Sequence, residues 1–397
     1  MTSRKAKIAF VIQRYGLEVN GGSEKLCRAL AEKLVPHYDL DVLSTCAVDH
    51  ATWANEYPPG LQTLNGVPVR RFPVSLRRDD RRFGSLIGSL FASEPPGGNR
   101  ADEIEWMRQM GPYSEGLLQY IKENRDRYDL FVFFTYLFAT TYFGLPLVRD
   151  KALFLPTAHD EAYIRLSIFK EIFSGARGFF FLSPEERALV FRLFENAGKP
   201  HEVTGIGIDI PNNIPSPGEF REKHGLRKPY VLYVGRIEEG KGCRELVDFF
   251  VRYKIRDRRE TQLVLLGKNL VPIPSHPDIR HLGFVSEEDK FAAIGGAEVL
   301  VNSSFYESFS IVVMEGWSMG VPALVNGRCE VLAGQCKRSS GGLWYGNFEE
   351  FRACLDRLLD QPGLAKRLGQ SGRDYVRENF NWETLTRKYR SLIDRFA

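Results

Sequence analysis

Short apolar runs alternate with amphipathic helical stretches along nearly the whole chain, the pattern of parallel sheets covered by helices on both faces. In the first half KIAFVIQ leads to SEKLCRALAEKLV, whose apolar residues recur every three or four positions and predict a helix. LDVLST, LFVFF, ALFLPT and GFFFLS continue the strand series. The last runs into SPEER, where Ser183 as N-cap, Pro184 at the first helical position and Glu186 at the third predict a capping box. A second series follows: YVLYVG, the helix CRELVDFFVRYKI, QLVLLG, RHLGFV, AEVLVNS, the helix SIVVMEGWSM, and PALVN.

Between the two series lies IGIDIPNNIPSPGEF, Ile206 to Phe220, with three prolines, two asparagines and two glycines, which reads as a linker. A length of 397 residues agrees, being too great for one core of ordinary size. The expected domains are therefore residues 1–208 and 219–381. A final helix over residues 382–397 finds no evident strand partner in the second half. Doubly wound sheets bind ligands at the carboxyl ends of their strands, so a cleft between the two domains is the expected place for chemistry.

Composition narrows the partners. The formal net charge of +4 suits an anionic small molecule or an acidic membrane surface and falls short of a nucleic-acid footprint, so no nucleic acid is expected. The six cysteines are scattered without metal-ligand spacing and read as reduced thiols, and no metal is expected. The basic start MTSRKAKIAFVIQ has an apolar run of about seven residues and no cleavage site after it, which points to a cytoplasmic protein. Leu130 to Val148 is uncharged and nearly as long as the ~20 residues of a membrane span. Gly144 and Pro146 interrupt it, however, and the β-rich start Leu130–Phe134 reads as a buried strand leading into an apolar loop or helix.

Five stretches carry candidate chemistry. QRYGLEVNGGSEK places Gly21 and Gly22 before a helix with Ser23 as its expected N-cap: either a backbone approach for an anion or a flexible turn. RIEEGKG sets Arg236 and Lys241 beside Gly235, Gly240 and Gly242. Such a loop neutralises a diphosphate without a metal, unless Glu238 and Glu239 simply pair with its cations; Cys243 excludes a P-loop. LPTAHDEAY puts His159 directly after a strand, as a hydroxyl partner or base or as a structural residue. FYESFSIVVMEGWSM carries Glu307 in a loop and Glu315 in the second turn of a helix with almost no polar face, spaced to accept from the hydroxyls of two parts of one ligand. Finally, RRDDRRF, Arg77 to Phe83, followed by GSLIGSLF, joins cations to an apolar patch, either a mobile loop or a contact with anionic membrane. Asp39 to Asp41, DLD, runs straight into a strand and reads as its lead-in rather than a metal site.

Taken together, GGSE, GRIEEGKG and the two glutamates with seven residues between them resemble the retaining glycosyltransferases of family 4, which have the GT-B fold. GIGID, GFVSEED and MGVPALV extend the likeness over nearly the whole chain. The resemblance implies two Rossmann-like domains, with the last helix crossing back to the first. It implies that Glu307 and the backbone at Phe309, Ser310 and Ile311 hold the donor sugar, that Glu315 holds the ribose, and that Arg236 and Lys241, beside Gly235, bind the diphosphate. Gly21 and Gly22 would approach the phosphate or acceptor, and His159 the transferred sugar. The implied partners are a UDP- or GDP-linked sugar and a carbohydrate or lipid-linked acceptor, with peripheral membrane contact in the latter case and no cofactor. Gly316 stands where alanine usually follows the second glutamate, and Ser310 where glycine is frequent. A nucleotide-sugar epimerase of related fold and a catalytically silent nucleotide-sugar-binding protein are the alternatives.

Overall fold

A computed structural model of the protein describes residues 4–19, 21–92, 94–256 and 259–397. The chain forms two compact units, Met1–Gly205 with Glu383–Ala397, and Ile206–Trp382.

Among the described residues the first unit is built on eight strands: β1 (Lys7–Val11), β2 (Asp39–Thr45), β3 (Gly60–Leu64), β4 (Val67–Phe72), β5 (Leu130–Phe134), β6 (Ala152–Leu155), β7 (Gly178–Phe181) and β8 (His201–Val203). Their spatial order is β3-β4-β2-β1-β5-β6-β7-β8, so the winding reverses between β1 and β5. β5, β6 and β7 are buried along their whole length, as strands covered on both faces must be. The helix Gly22–Leu34 turns Leu26, Cys27, Leu30, Ala31 and Leu34 inward, a stripe at three- and four-residue spacing.

Three features depart from the sequence expectation. β3 and β4 form an antiparallel hairpin at the edge of an otherwise parallel sheet, and neither strand was expected. Its two-residue turn, Asn65–Gly66, takes positive φ at both positions, 47° and 78°, and Asn-Gly between apolar runs is the strongest short hairpin signal. The capping box at Ser183 is only half formed. Its hydroxyl accepts from the Glu186 amide, but the Glu186 carboxylate turns inward and accepts from the amides of Leu182 and Ala158, each at 2.6 Å. Burial pushes this carboxyl up to about 8 against the lowering effect of those two bonds. Third, the cationic stretch is engaged within the fold. Asp79 caps the helix Asp80–Leu90, Arg78 donates to the carbonyls of Gln109 and Met110, Arg82 pairs with Glu105, and Leu86 and Leu90 are buried.

Leu130–Val148 becomes β5, a short helix Ala139–Gly144 and a 3-10 turn, and among the described residues no helix is long and apolar enough to cross a membrane. Asp39 and Asp41 sit at the amino end of the sheet, 3.0 and 3.2 Å from the Lys7 ammonium, with Tyr128 donating to Asp41. The last helix, Trp382–Ile393, packs in the first unit: Tyr389 is buried against Phe180 and donates to the Gly205 carbonyl.

Among the described residues the second unit carries six parallel strands, β9 (Tyr230–Val234), β10 (Gln262–Leu266), β11 (Ile279–Gly283), β12 (Val299–Asn302), β13 (Ala323–Asn326) and β14 (Gly342–Tyr345). They lie in the order β11-β10-β9-β12-β13-β14, with the reversal between β9 and β12. β14, too short and mixed for its pattern to show in GGLWYG, closes one edge. The linker is shorter than expected, since the helix Pro217–Lys223 already begins within it under a complete Ser216–Glu219 capping box.

Candidate functional site

At the reversal point of the second sheet, the loops leaving β9 and β12 meet. The first, Gly235 to Gly242, needs glycine at one place within it and at one place against it. Gly242 has φ 66°, and a Cβ there would lie 2.1 Å from the Ser303 carbonyl oxygen; a Cβ on Gly267, just after the neighbouring strand β10 and at φ 129°, would strike the Gly235 carbonyl at the same distance. Ser303 also donates its hydroxyl to the Lys241 carbonyl at 2.8 Å. The loop is thereby clamped flat on the carboxyl ends of β10 and β12.

That clamp aims Lys241 at the second loop, where its ammonium lies 2.9 Å from Glu307 Oε1. Arg236 pairs with Glu238 at 3.1 Å, and Glu239 pairs with Arg244 rather than with Lys241. Of the two pairings weighed for a solvated turn, the structure therefore holds one at Arg236 and gives Lys241 to a carboxylate 66 positions on.

The loop bearing Glu307 ends in a strained residue. Ser310 has φ 71°, ψ 83°, a left-handed conformation that glycine adopts freely and serine adopts only when held. Two bonds hold it: Asn302 donates to the Ser310 hydroxyl at 2.8 Å, and Gln335 donates to the Phe309 carbonyl. The Phe309 ring is buried against Phe380, so this residue can offer a ligand only its backbone. The helix Ile311–Ser318 then starts with no side-chain cap on its first amides, an arrangement that favours anions. Gly316, the second departure, faces Leu300, whose Cδ2 would lie 2.5 Å from an alanine Cβ.

Glu315 is buried in the second turn of that helix and is not a solvated acid. Its Oε1 lies 2.6 Å from the ammonium of Lys290, which also meets Glu287 at 2.8 Å. Burial pulls the Lys290 pKa down, but Glu315 and Glu287 outweigh it and hold it above the ordinary lysine value. Lys290 was missed from the sequence. The available signal was a cation three and four positions before Ala293 and Ile294, on the buried stripe of the helix Glu287–Gly295.

The remaining predicted residues, Gly21, Gly22 and His159, lie in the first unit. The helix begins at Gly22 with Gly21 as N-cap, not at Ser23, whose hydroxyl instead donates to Glu24 Oε2 and accepts from Gln13. The Glu24 carboxylate sits over this turn, so that a Cβ on Gly21 would lie 2.0 Å from its Oε2. Buried Arg14 pairs with Glu24 at 2.6 Å and donates to the Val48 carbonyl. His159 points Nδ1 toward Glu161 Oε1 at 3.4 Å, and Tyr136 donates to the same oxygen at 2.6 Å. This arrangement favours the tautomer with Nε2 bare. Arg14, Glu24 and Tyr136 escape sequence reasoning because their partners lie 10 to 25 positions away, whereas Glu161 stands in the same loop as His159.

Comparison with known proteins adds to this geometry. Residues 218–375 match the family model described as glycosyl transferases group 1. Over 224 residues the chain is 30% identical to an MMP α-(1→4)-mannosyltransferase of Mycolicibacterium hassiacum, covering 52% of each protein, so the chain spans about half the length of the curated relatives it matches. Among solved structures, a sucrose-phosphate synthase of Thermosynechococcus elongatus superposes with a TM-score of 0.71 at 18% identity, over 98% of this chain and 99% of that one. HepE of Anabaena, solved with UDP and glucose, gives 0.70 at 15% identity, over 98% and 100%. These likenesses show the GT-B fold.

Proposed function

We propose, from the match of residues 218–375 to the family model of group 1 glycosyl transferases, that the protein is a retaining, metal-independent glycosyltransferase. It moves a hexose from a UDP- or GDP-linked sugar to a carbohydrate or lipid-linked sugar acceptor. The observation that supports this best is the clamped loop that brings Lys241 against Glu307 at the carboxyl edge of the second sheet. Cation and acid there are ready to be exchanged for phosphate and hydroxyl.

In this reading Arg236 and Lys241 meet the diphosphate, Glu307 and the backbone of Phe309, Ser310 and Ile311 hold the sugar, and Glu315 accepts from the ribose. His159 contacts the transferred sugar, and Gly21 and Gly22 let the acceptor approach the main chain, the Glu24 carboxylate over that turn disfavouring a phosphate there. The bond from the anomeric carbon to the β-phosphate oxygen breaks, and its electron pair goes to the diphosphate. The acceptor hydroxyl attacks from the same face and gives its proton to the departing phosphate. Fixed cations stabilise the charge that develops. Peripheral membrane contact belongs with a lipid-linked acceptor, though Arg78 and Arg82 already have partners within the fold.

A thermal-shift screen of nucleoside diphosphates and their sugars tests the reading, since a ligand at 100 times its dissociation constant stabilises by about 2.7 kcal/mol. UDP-linked hexoses are the first to try, given the ligands of HepE. A flat response to all of them would overturn it. Transfer is expected to survive EDTA, and loss restored by manganese or magnesium would remove the metal-independent part.

A further inference from the structure

The Lys290–Glu315 pair has a feature that stability does not explain. Both residues are 8% exposed, and the ammonium–carboxylate distance is 2.6 Å. Desolvating two charges costs about as much as their attraction returns, and well-packed apolar residues of similar volume commonly do as well or better. A buried pair is therefore weak as a stabilising device, and its worth lies in what it orients. Here only one side of the carboxylate is used: Glu315 Oε1 takes the lysine, and no described residue donates to Oε2. Lys290 is itself fixed from two sides, by Glu315 and by Glu287, so it does not swing to find other partners. The helix that carries it starts at Ser286, which accepts from the Asp289 amide, and is packed through Phe291, Ala292, Ala293 and Ile294. The lysine thus stands on a rigid element and grips one oxygen of an acid on another.

We propose that Lys290 is a positioning residue for the nucleotide: by binding Oε1 of Glu315 it holds that carboxylate in one rotamer, with Oε2 directed at the ribose hydroxyls. The inference rests on the reading of Glu315 as the ribose acceptor. Lys290 touches no part of the reacting centre, so its effect falls on nucleotide affinity and KM rather than on kcat.

Calorimetric titration with UDP and GDP, and with their 2′,3′-dideoxy counterparts, tests this in the full chain. In the natural protein, removing the ribose hydroxyls is expected to weaken binding about tenfold or more, as for hydrogen bonds to a charged group. Lys290→Met is expected to weaken the ribonucleotide by about the same factor while leaving the dideoxy form unchanged, so that the two losses do not add. A merely structural lysine would weaken both ligands equally, and that result overturns the proposal. If Lys290→Met does not fold, Lys290→Gln, which keeps a donor without the charge, closes the same cycle; equal losses there overturn it as well. A third outcome separates the two claims. If the natural protein binds neither UDP nor GDP, the glycosyltransferase reading fails and takes this inference with it, whereas binding with full sensitivity to the ribose hydroxyls in the lysine variants sinks the inference alone.

Discussion

Two glycine turns stand after the first strand of each sheet, and they have opposite electrostatics. At Gly21–Gly22 the helix start is answered by the chain's own Glu24, locked by buried Arg14. At Gly235–Gly242 the loop presents cations whose partners are partly exposed, Glu238 from the same loop and Glu307 from the loop after β12. The sequence motifs look alike, but the first is closed by an acid two positions past the glycines and the second is left to be closed by exchange. A glycine-rich turn before a helix is therefore no guide to anion binding until the nearest carboxylate is known.

The largest expected effects break this contrast from both sides. Arg14→Met strands Glu24 in the interior and should cost about 3–5 kcal/mol in denaturant unfolding. Lys241→Ala should leave unfolding nearly unchanged and cut turnover about 10²- to 10³-fold. If the Arg14 variant melts normally, or the Lys241 variant turns over normally, the two turns are not different in kind.

Smaller effects sharpen the division within the second loop pair. Glu307→Gln should lower turnover with the nucleotide sugar and spare affinity for bare nucleoside diphosphate, while Glu315→Gln should weaken both, each by about 1.5–3 kcal/mol. Titration of the two variants with the two ligands reads this directly, and equal losses throughout would show that the roles are misassigned.

Next comes the clamp. Gly242→Ala forces a Cβ onto the Ser303 carbonyl at a left-handed φ and should cost about 1–3 kcal/mol with loss of activity, whereas Gly240→Ala meets nothing within 4 Å and should stay within about 0.5 kcal/mol. Melting curves of the pair separate a shaped loop from a flexible one.

A further test, spread over pH, concerns Glu186, the acid that anchors Ala158 beside His159. Its carboxyl is raised to about 8 in the fold from an ordinary 4.5, so the folded protein keeps a proton that the unfolded chain releases. Stability should be greatest below the ordinary carboxylate value and decline as pH rises toward 8, by at most about 1.4 kcal/mol per pH unit. A slope unchanged in Glu186→Gln would show that some other group is responsible.

What could be read from the chain followed periodicity. The buried strands β1, β5, β9, β10 and β12 are long apolar runs and were legible, as was the E-x7-E element, whose second acid lies in a helix without a polar face. The β3–β4 hairpin was overlooked because its strands alternate with arginine and glutamine, although Asn65–Gly66 marks the turn. The site's second layer was hidden for a different reason. Lys290 meets Glu315 across 25 positions and Gln335 meets Phe309 across 26, and nothing local to either segment encodes such a pairing. The Glu186 side chain shows the limit of a local rule: the S-x-x-E spacing was right, but a buried amide at Ala158 competed successfully for the carboxylate.

The return of residues 383–397 to the first unit has a consequence for biosynthesis. Tyr389, with its bond to Gly205, belongs to a core whose other members are translated before the second unit begins. Residues 206–382, by contrast, form one uninterrupted segment and are all available before the first unit is complete. At ~5–20 residues per second the first unit waits roughly 10 to 40 s for its last helix. During that interval Phe180 and the face around it lack their cover, so a nascent chain stalled before residue 383 should bind holdase chaperones through its older half.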